Sequence, residues 1–265
     1  MHHYFIQRIL HKRSFQIALL IGTLLSLFYL IADVFPNRLY GGSPYTRWIE
    51  SFTGSEVPQL LFMLMPIISA MAAADIYAVD KKNGFFAHIY TKNLRKKYFI
   101  NLYGYNFLFA GLSFVFPLLL NIYGCFMLLP NHPPDLLVTT SEAVPQMFST
   151  TLFPALYYAH PFLHILLYVG IAFLSAGMYA AIALSVSFFV KSSFLIFLSA
   201  FIIDYIWTYL IPIDLNDSIS YFPTVFSRQI STPILSFEIM LVVWGSGALL
   251  ASVLYVIGVK KYVVK

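Results

Sequence analysis

The chain has 265 residues, 60% of them hydrophobic and only 10% charged, with a formal net charge of +5 and a mean hydropathy of +0.78. Soluble domains are about half apolar and about a quarter charged, so this composition excludes a water-soluble globule and points to one polytopic membrane domain. The single cysteine, Cys125, excludes an internal disulfide, and no Cys or His spacing suggests a structural zinc site.

The chain opens with MHHYFIQRILHKRS, residues 1–14. Phe5, Ile6, Ile9 and Leu10 fall on one helical face, and Gln7, Arg8, His11 and Lys12 on the other. That pattern predicts a helix lying in the membrane interface; the alternative is a frayed basic tail. Residues 15–35 follow as a first apolar segment. It is longer than a signal-peptide core and lacks a small-residue cleavage site, so it reads as an uncleaved span.

Five further segments approach the roughly 20 residues that cross a bilayer: 57–78, 99–129, 162–190, 193–211 and 234–259. The third and fourth of the six spans exceed that length, which tilt accommodates. The connecting stretches carry turn chemistry, as in NRLYGGSP and LPNHPPD. Residues 212–233 mix apolar and polar side chains and suit short helices dipping into the outer leaflet.

The cations orient these spans. With the N-terminus inside, Arg8, Lys12, Arg13, Lys81, Lys82, Lys92, Arg95, Lys96, Lys97, Lys191, Lys260, Lys261 and Lys265 are cytoplasmic, 13 of the 16 Lys and Arg. Arg38, Arg47 and Arg228 are outside. This positive-inside asymmetry predicts six spans with both termini cytoplasmic. It also argues against nucleic acid as a partner, because the cations flank membrane segments.

Signatures of enzymes are absent: no phosphate-binding GxxxxGK[ST] loop, no HExxH and no GxSxG. His160 and His164 have i, i+4 spacing, yet Pro161 lies between them and no acid is near, so a metal there is not expected. Asp33, Asp75, Asn121, Asp204 and Glu238 lie in or at the edges of spans, where ionisable groups are costly. Asp204 is the deepest. With Trp207 and the adjoining Thr208 and Tyr209 of the run DYIWTYL, it either lines an interface or pathway or sits at the outer boundary. Small residues make close-approach surfaces at Ala70 to Asp75, at Gly177, Ala181 and Ser185, and at Gly247 with Ala251, serving helices of one chain or of two.

The loop between the second and third spans, 79–98, holds DKKNGFFAHIYTKNLRKKYF, with six cations around a small apolar cluster. Phe85, Phe86, Ile89 and Tyr90 share one face of a short predicted helix, and Gly84 loosens the chain before it. The plainer reading is an amphipathic loop whose cations meet lipid headgroups and fix topology. A protein partner that accepts an aromatic knob explains the two phenylalanines and the tyrosine as well.

In layout and in this loop the chain resembles the permease subunits of type-2 ABC exporters: six spans, an N-terminal interfacial helix, then an acid (Asp80), a glycine (Gly84), an apolar helix (Phe85 to Tyr90) and a basic–aromatic run that includes Arg95. The resemblance implies an all-α membrane fold with a coupling helix between spans two and three. It makes Asp80, Gly84, Phe85, Phe86, Ile89, Tyr90 and Arg95 the contact with a separate ATP-binding subunit, two copies of which work with a second permease. ATP and magnesium then belong to that partner, with no catalytic, cofactor or metal residue in this chain. The expected function is export of an amphipathic or hydrophobic substrate (peptide, lipid or drug) through a bacterial cell membrane. Asp204, Trp207, Tyr209 and Asp75 are candidates for a pathway or interface. The alternatives are an integral membrane enzyme and a non-transporting immunity or sensor protein.

Overall fold

A computed structural model describes residues 2–39, 42–51, 54–86, 89, 94–135, 151–210, 222–230 and 235–263, the side chains of 208–210 and 262–263 excepted. Its described elements are all helical. They are α1 (His2–Leu10), α2 (Arg13–Tyr29) running into a π turn (Leu30–Val34), α3 (Pro44–Arg47), α4 (Glu56–Met63), α5 (Met65–Ala73), α6 (Ile76–Lys82), α7 (Arg95–Leu128), α8 (Pro154–Ala159), α9 (Pro161–Val186), α10 (Ser193–Leu210), α11 (Pro223–Phe226) and α12 (Phe237–Val263).

Among the described residues four helical stretches are long and apolar enough to cross a membrane: Arg13–Val34, Arg95–Leu128, Pro161–Val186 and Phe237–Lys261. The second expected span is broken instead of continuous, with a 41° bend after α4. Pro66 lies in the first turn of α5, and Leu64 before it relaxes to ψ −8°. A proline ring crowds the preceding turn and offers no N–H to it, which accounts for the bend. Taken as one span, this pair makes five. The remaining expected span is α10, whose 18 residues rise roughly 27 Å at 1.5 Å each, just short of a hydrocarbon core of about 30 Å. The apolar helices are those of a membrane protein. Leu20, Leu24 and Phe28 on α2, and Val242, Leu249 and Val253 on α12, point outward uncovered, as lipid-facing residues do.

Helix α9 is the centre and packs on α7, α12, α5 and α10. Its residues from Ser175 to Ser185 are all buried, and Ala, Gly and Ser dominate them. The close-approach surfaces read in the sequence serve helices of this one chain. Gly177 faces the Phe107 ring of α7, and Gly247 of α12 faces Met178 of α9. The Ser185 hydroxyl lies 2.8 Å from the carbonyl of Ala251, joining α9 to α12. Asn106 donates to the Ala180 carbonyl at 2.8 Å and joins α7 to α9. These bonds satisfy polar groups that hydrocarbon would leave stranded.

Helix α2 comes close to α7 at Gly22, where an added Cβ would lie 2.6 Å from the ring of Pro117. The proline ring has no rotamer by which to retreat. Gly22→Leu is therefore expected to cost about 1–3 kcal/mol, read as a lowered unfolding midpoint in detergent. Gly104→Leu, at a helix position with nothing within 4 Å, should leave the midpoint nearly unchanged.

Candidate functional site

The predicted loop residues meet the N-terminal helix at the basic end of the bundle. Asp80 and Asp75 are both buried, at 2% and 5% exposure, and a buried carboxylate is costly unless paired. Arg8 of α1 supplies one partner, 2.5 Å from Asp80, and the Tyr98 hydroxyl of α7 donates to the same carboxylate. Lys12 pairs with Asp75. Lys12 also lies 3.4 Å from the carbonyls of Met71 and Ala72, and the Ser14 hydroxyl donates to Met71 at 2.8 Å. These are among the last carbonyls of α5, which have no partner within the helix, so Lys12 and Ser14 cap it. Burial draws the Lys12 ammonium below its ordinary value, and Asp75 opposes that shift.

The N-terminal segment is thus a docked helix. Its buried face is Phe5 and Ile9, while Leu10 is 45% exposed. Phe5 packs on the rings of Tyr98 and Tyr105, at 5.5 and 5.8 Å between centroids.

Gly84 has a structural explanation. Helix α6 stops at Lys82, and Gly84 takes a left-handed φ of +69°. Phe85 N–H donates to the Asp80 carbonyl at 3.0 Å, and Gly84 N–H to that of Lys81 at 3.4 Å. This pair of bonds is the Schellman ending, which favours glycine at the left-handed position. A residue with a Cβ meets no neighbour there but is strained by the backbone angle.

The apolar face expected to project outward is largely turned inward. Phe85 stacks on Tyr4 at 5.4 Å, and Phe86 packs on Tyr77 and Tyr98 at 5.4 and 5.6 Å. Both phenylalanines are half-buried and Ile89 is buried, while Lys81, Lys82, Asn83 and Gly84 are exposed. Tyr90 and the remainder of the expected short helix lie outside the described residues. Arg95, at the start of α7, lines a groove against α12.

Asp204 and Trp207 come together at a narrow cleft of about 30 Å³ between α9, α10 and α12. The Tyr179 hydroxyl of α9 donates to the Asp204 carboxylate there. The side chains of Thr208 and Tyr209 lie outside the described residues. Asp75 does not line this cleft and is tied to Lys12 instead.

A second polar cluster, at the opposite end, has no counterpart among the sequence-based expectations. Trp48 donates from its indole to Gln229 Oε1 at 2.5 Å, and Gln229 Nε2 lies 2.7 Å from His164 Nδ1. His164 Nε2 lies 2.8 Å from the Leu152 carbonyl, and Tyr168 accepts from Leu152 N–H at 2.7 Å. Asn121, noted in the sequence, accepts from Ile49 N–H at 2.9 Å and pins the same loop to α7. Beside this cluster sits Glu50, 1% exposed, with neither carboxylate oxygen hydrogen-bonded among the described residues. The only sequence signal is the apolar flank of Glu50 in TRWIESF, since Arg228 and Gln229 come from the far end of the chain. Among the described residues no cluster of His, Cys, Asp and Glu has the form of a metal site, His160 and His164 included.

Comparison with family models, with curated proteins and with solved structures found no match. The geometry of the site stands alone as the guide to its role.

Two experiments test that geometry. In a double-mutant cycle, Arg8→Ala and Asp80→Ala should show a coupling of about 1–2 kcal/mol. Asp80→Ala should be the costlier single change, because Tyr98 then loses its buried acceptor. Additive single changes would separate the two residues. At the opposite end, burial pushes Glu50 well above the usual carboxylate range, with Arg228 pulling the other way. Folding then favours the protonated acid. Its contribution is whole below the ordinary carboxylate value and is lost as pH rises through the raised one. The unfolding midpoint of the wild type should fall from about pH 5 to about pH 8 relative to that of Glu50→Gln, which carries no titrating group at this position.

Proposed function

We propose that this chain is the membrane-spanning subunit of an ATP-driven exporter of the type-2 ABC kind, with ATP hydrolysed by a separate subunit. In this reading α2, the bent pair with α6, α7, α9, α10 and α12 make six crossings. Both termini and the 79–98 loop face the cytoplasm of a bacterial cell. The cargo is amphipathic or hydrophobic: a peptide, a lipid or a drug.

The observation that carries the reading is the anchoring of the loop. Asp80 ties the loop's first turn to α1 through Arg8 and to α7 through Tyr98, while Lys81, Lys82, Asn83 and Gly84 beside it stand exposed. A loop that a partner is to push on needs a fixed base beside exposed residues, and the described part of this loop supports that reading.

An integral membrane enzyme is the other class, and the juxtaposition of His164, Tyr168 and Glu50 with Gln229 favours it. Both nitrogens of His164 are already engaged, by Leu152 and by Gln229, which leaves neither facing a substrate. The exporter is the better account.

The decisive experiment is affinity purification of the full chain from its native membrane. An ATP-binding subunit should come with the wild type. Asn83→Trp, which adds bulk at an exposed position and touches none of the anchoring bonds, should release that subunit while the chain still inserts. Recovery of no ATPase with the wild type, or full recovery with Asn83→Trp, would overturn the proposal.

A further inference from the structure

Between the first turns of α7 and the last turns of α12 runs an open groove of about 690 Å³. Its walls are apolar and aromatic, among them Phe99, Tyr103 and Tyr255; Arg95, Lys96 and Lys260 also line it, all three from the basic end of the two helices. The floor is fixed. Tyr255 donates to the Phe99 carbonyl at 2.8 Å, and the rings of Tyr103 and Tyr255 meet edge to face at 4.9 Å.

Lys260 suits its place, because a cation complements the C-terminal end of α12. Arg95 and Lys96 do not, since they open α7 and no acid stands in its first turn. Cations at the start of a helix oppose its dipole. Their position is better explained by what lies outside the helix. A groove that is greasy along its length and cationic at one end matches a molecule with an anionic head and hydrocarbon chains.

We propose that this groove holds one anionic phospholipid of the inner leaflet, its phosphate among Arg95, Lys96 and Lys260 and an acyl chain along Phe99, Tyr103 and Tyr255. Three cations lining one groove favour an anionic over a zwitterionic headgroup there, and the aromatic floor gives the chain a shaped, persistent bed. The proposal is independent of what the chain transports.

Phosphatidylglycerol and phosphatidylcholine are titrated in turn into the full chain in detergent, and bound lipid is counted by native mass spectrometry. The wild type should bind one phosphatidylglycerol per chain, at least tenfold more tightly than phosphatidylcholine. The triple variant Arg95→Gln, Lys96→Gln, Lys260→Gln should lose most of that preference, on the order of a hundredfold in affinity. The variant Lys81→Gln, Lys82→Gln, which removes cations away from the groove, should retain it. Val256→Trp fills the groove with the charges intact and should also weaken lipid binding, and excess inorganic phosphate should not compete. Equal binding of the two lipids, equal loss in the Lys81 and Lys82 variant, undiminished binding to Val256→Trp, or displacement by phosphate would each overturn the proposal. So would finding the groove buried against a second copy of the chain.

Discussion

The basic end of this molecule is organised by two carboxylates that have no water. Asp75 and Asp80 come from the last turns of the broken second segment and are buried where α1, α2 and α7 converge. Each needs a cation, and each finds one on the N-terminal segment four residues apart, Arg8 for Asp80 and Lys12 for Asp75. Arg8 lies on α1 and Lys12 in the extended link between α1 and α2, so the helix and the turn that follows it answer the two acids together. The docking of α1, the capping of α5 and the exit angle of α6 all follow. Removing either acid would strand a cation among aromatic rings, which is the costly way to break a buried pair.

The rest of the bundle is built on close approach. Helix α9 carries small residues on nearly every side, and its neighbours answer with large rings, as Phe107 does against Gly177; the roles reverse where Phe173 of α9 meets Gly111 of α7. Where backbones come this near, hydroxyl and amide groups can span the gap, as Ser185 and Asn106 do. Lipid offers no hydrophobic drive between helices, so such packing and hydrogen bonding carry the association. The pattern consumes the small faces within one chain, leaving α2 and α12 as the helices with the broadest uncovered apolar surface.

Much of this is legible in the sequence, and the misses have physical causes. Long apolar runs mark the four full-length helices, because spanning length depends on composition alone. The period of 3.6 marks α1. The bend at Leu64 is signalled by Pro66 but hidden by an apolar run that reads as continuous. Gly84 reads as looseness before a docking helix, although KKNG after an apolar helix is also a helix stop, and the Schellman bonds show that second role. Asp80 reads as part of a contact surface, and its pairing with Arg8 and Tyr98 is not legible, because a single carboxylate among lysines looks solvated until its three-dimensional neighbours are known. The Trp48–Gln229–His164 cluster is invisible because its members are scattered from residue 48 to residue 229, and no local period reports a contact of that separation.

The aromatic packing around the loop bears on how motion could pass through it. Phe85 rests on Tyr4, Phe86 on Tyr77 and Tyr98, Tyr77 on Phe188 at 4.1 Å, and Phe188 on Tyr255 at 5.2 Å. This chain of rings joins α1, α6, α7 and α12 and the turn after α9 with no gap. Close-packed interiors do not deform continuously, so a push on the loop would displace the basic end as one body. Under the proposed exporter reading, the compliance that transport requires then lies elsewhere. The 41° bend at Leu64 and Pro66, and the π turn of Leu30–Val34, are two places where neighbouring helices already depart from regular geometry. Both lie away from the ion pairs. In the exporter reading, the anchored loop is the lever and these two interruptions are its hinges.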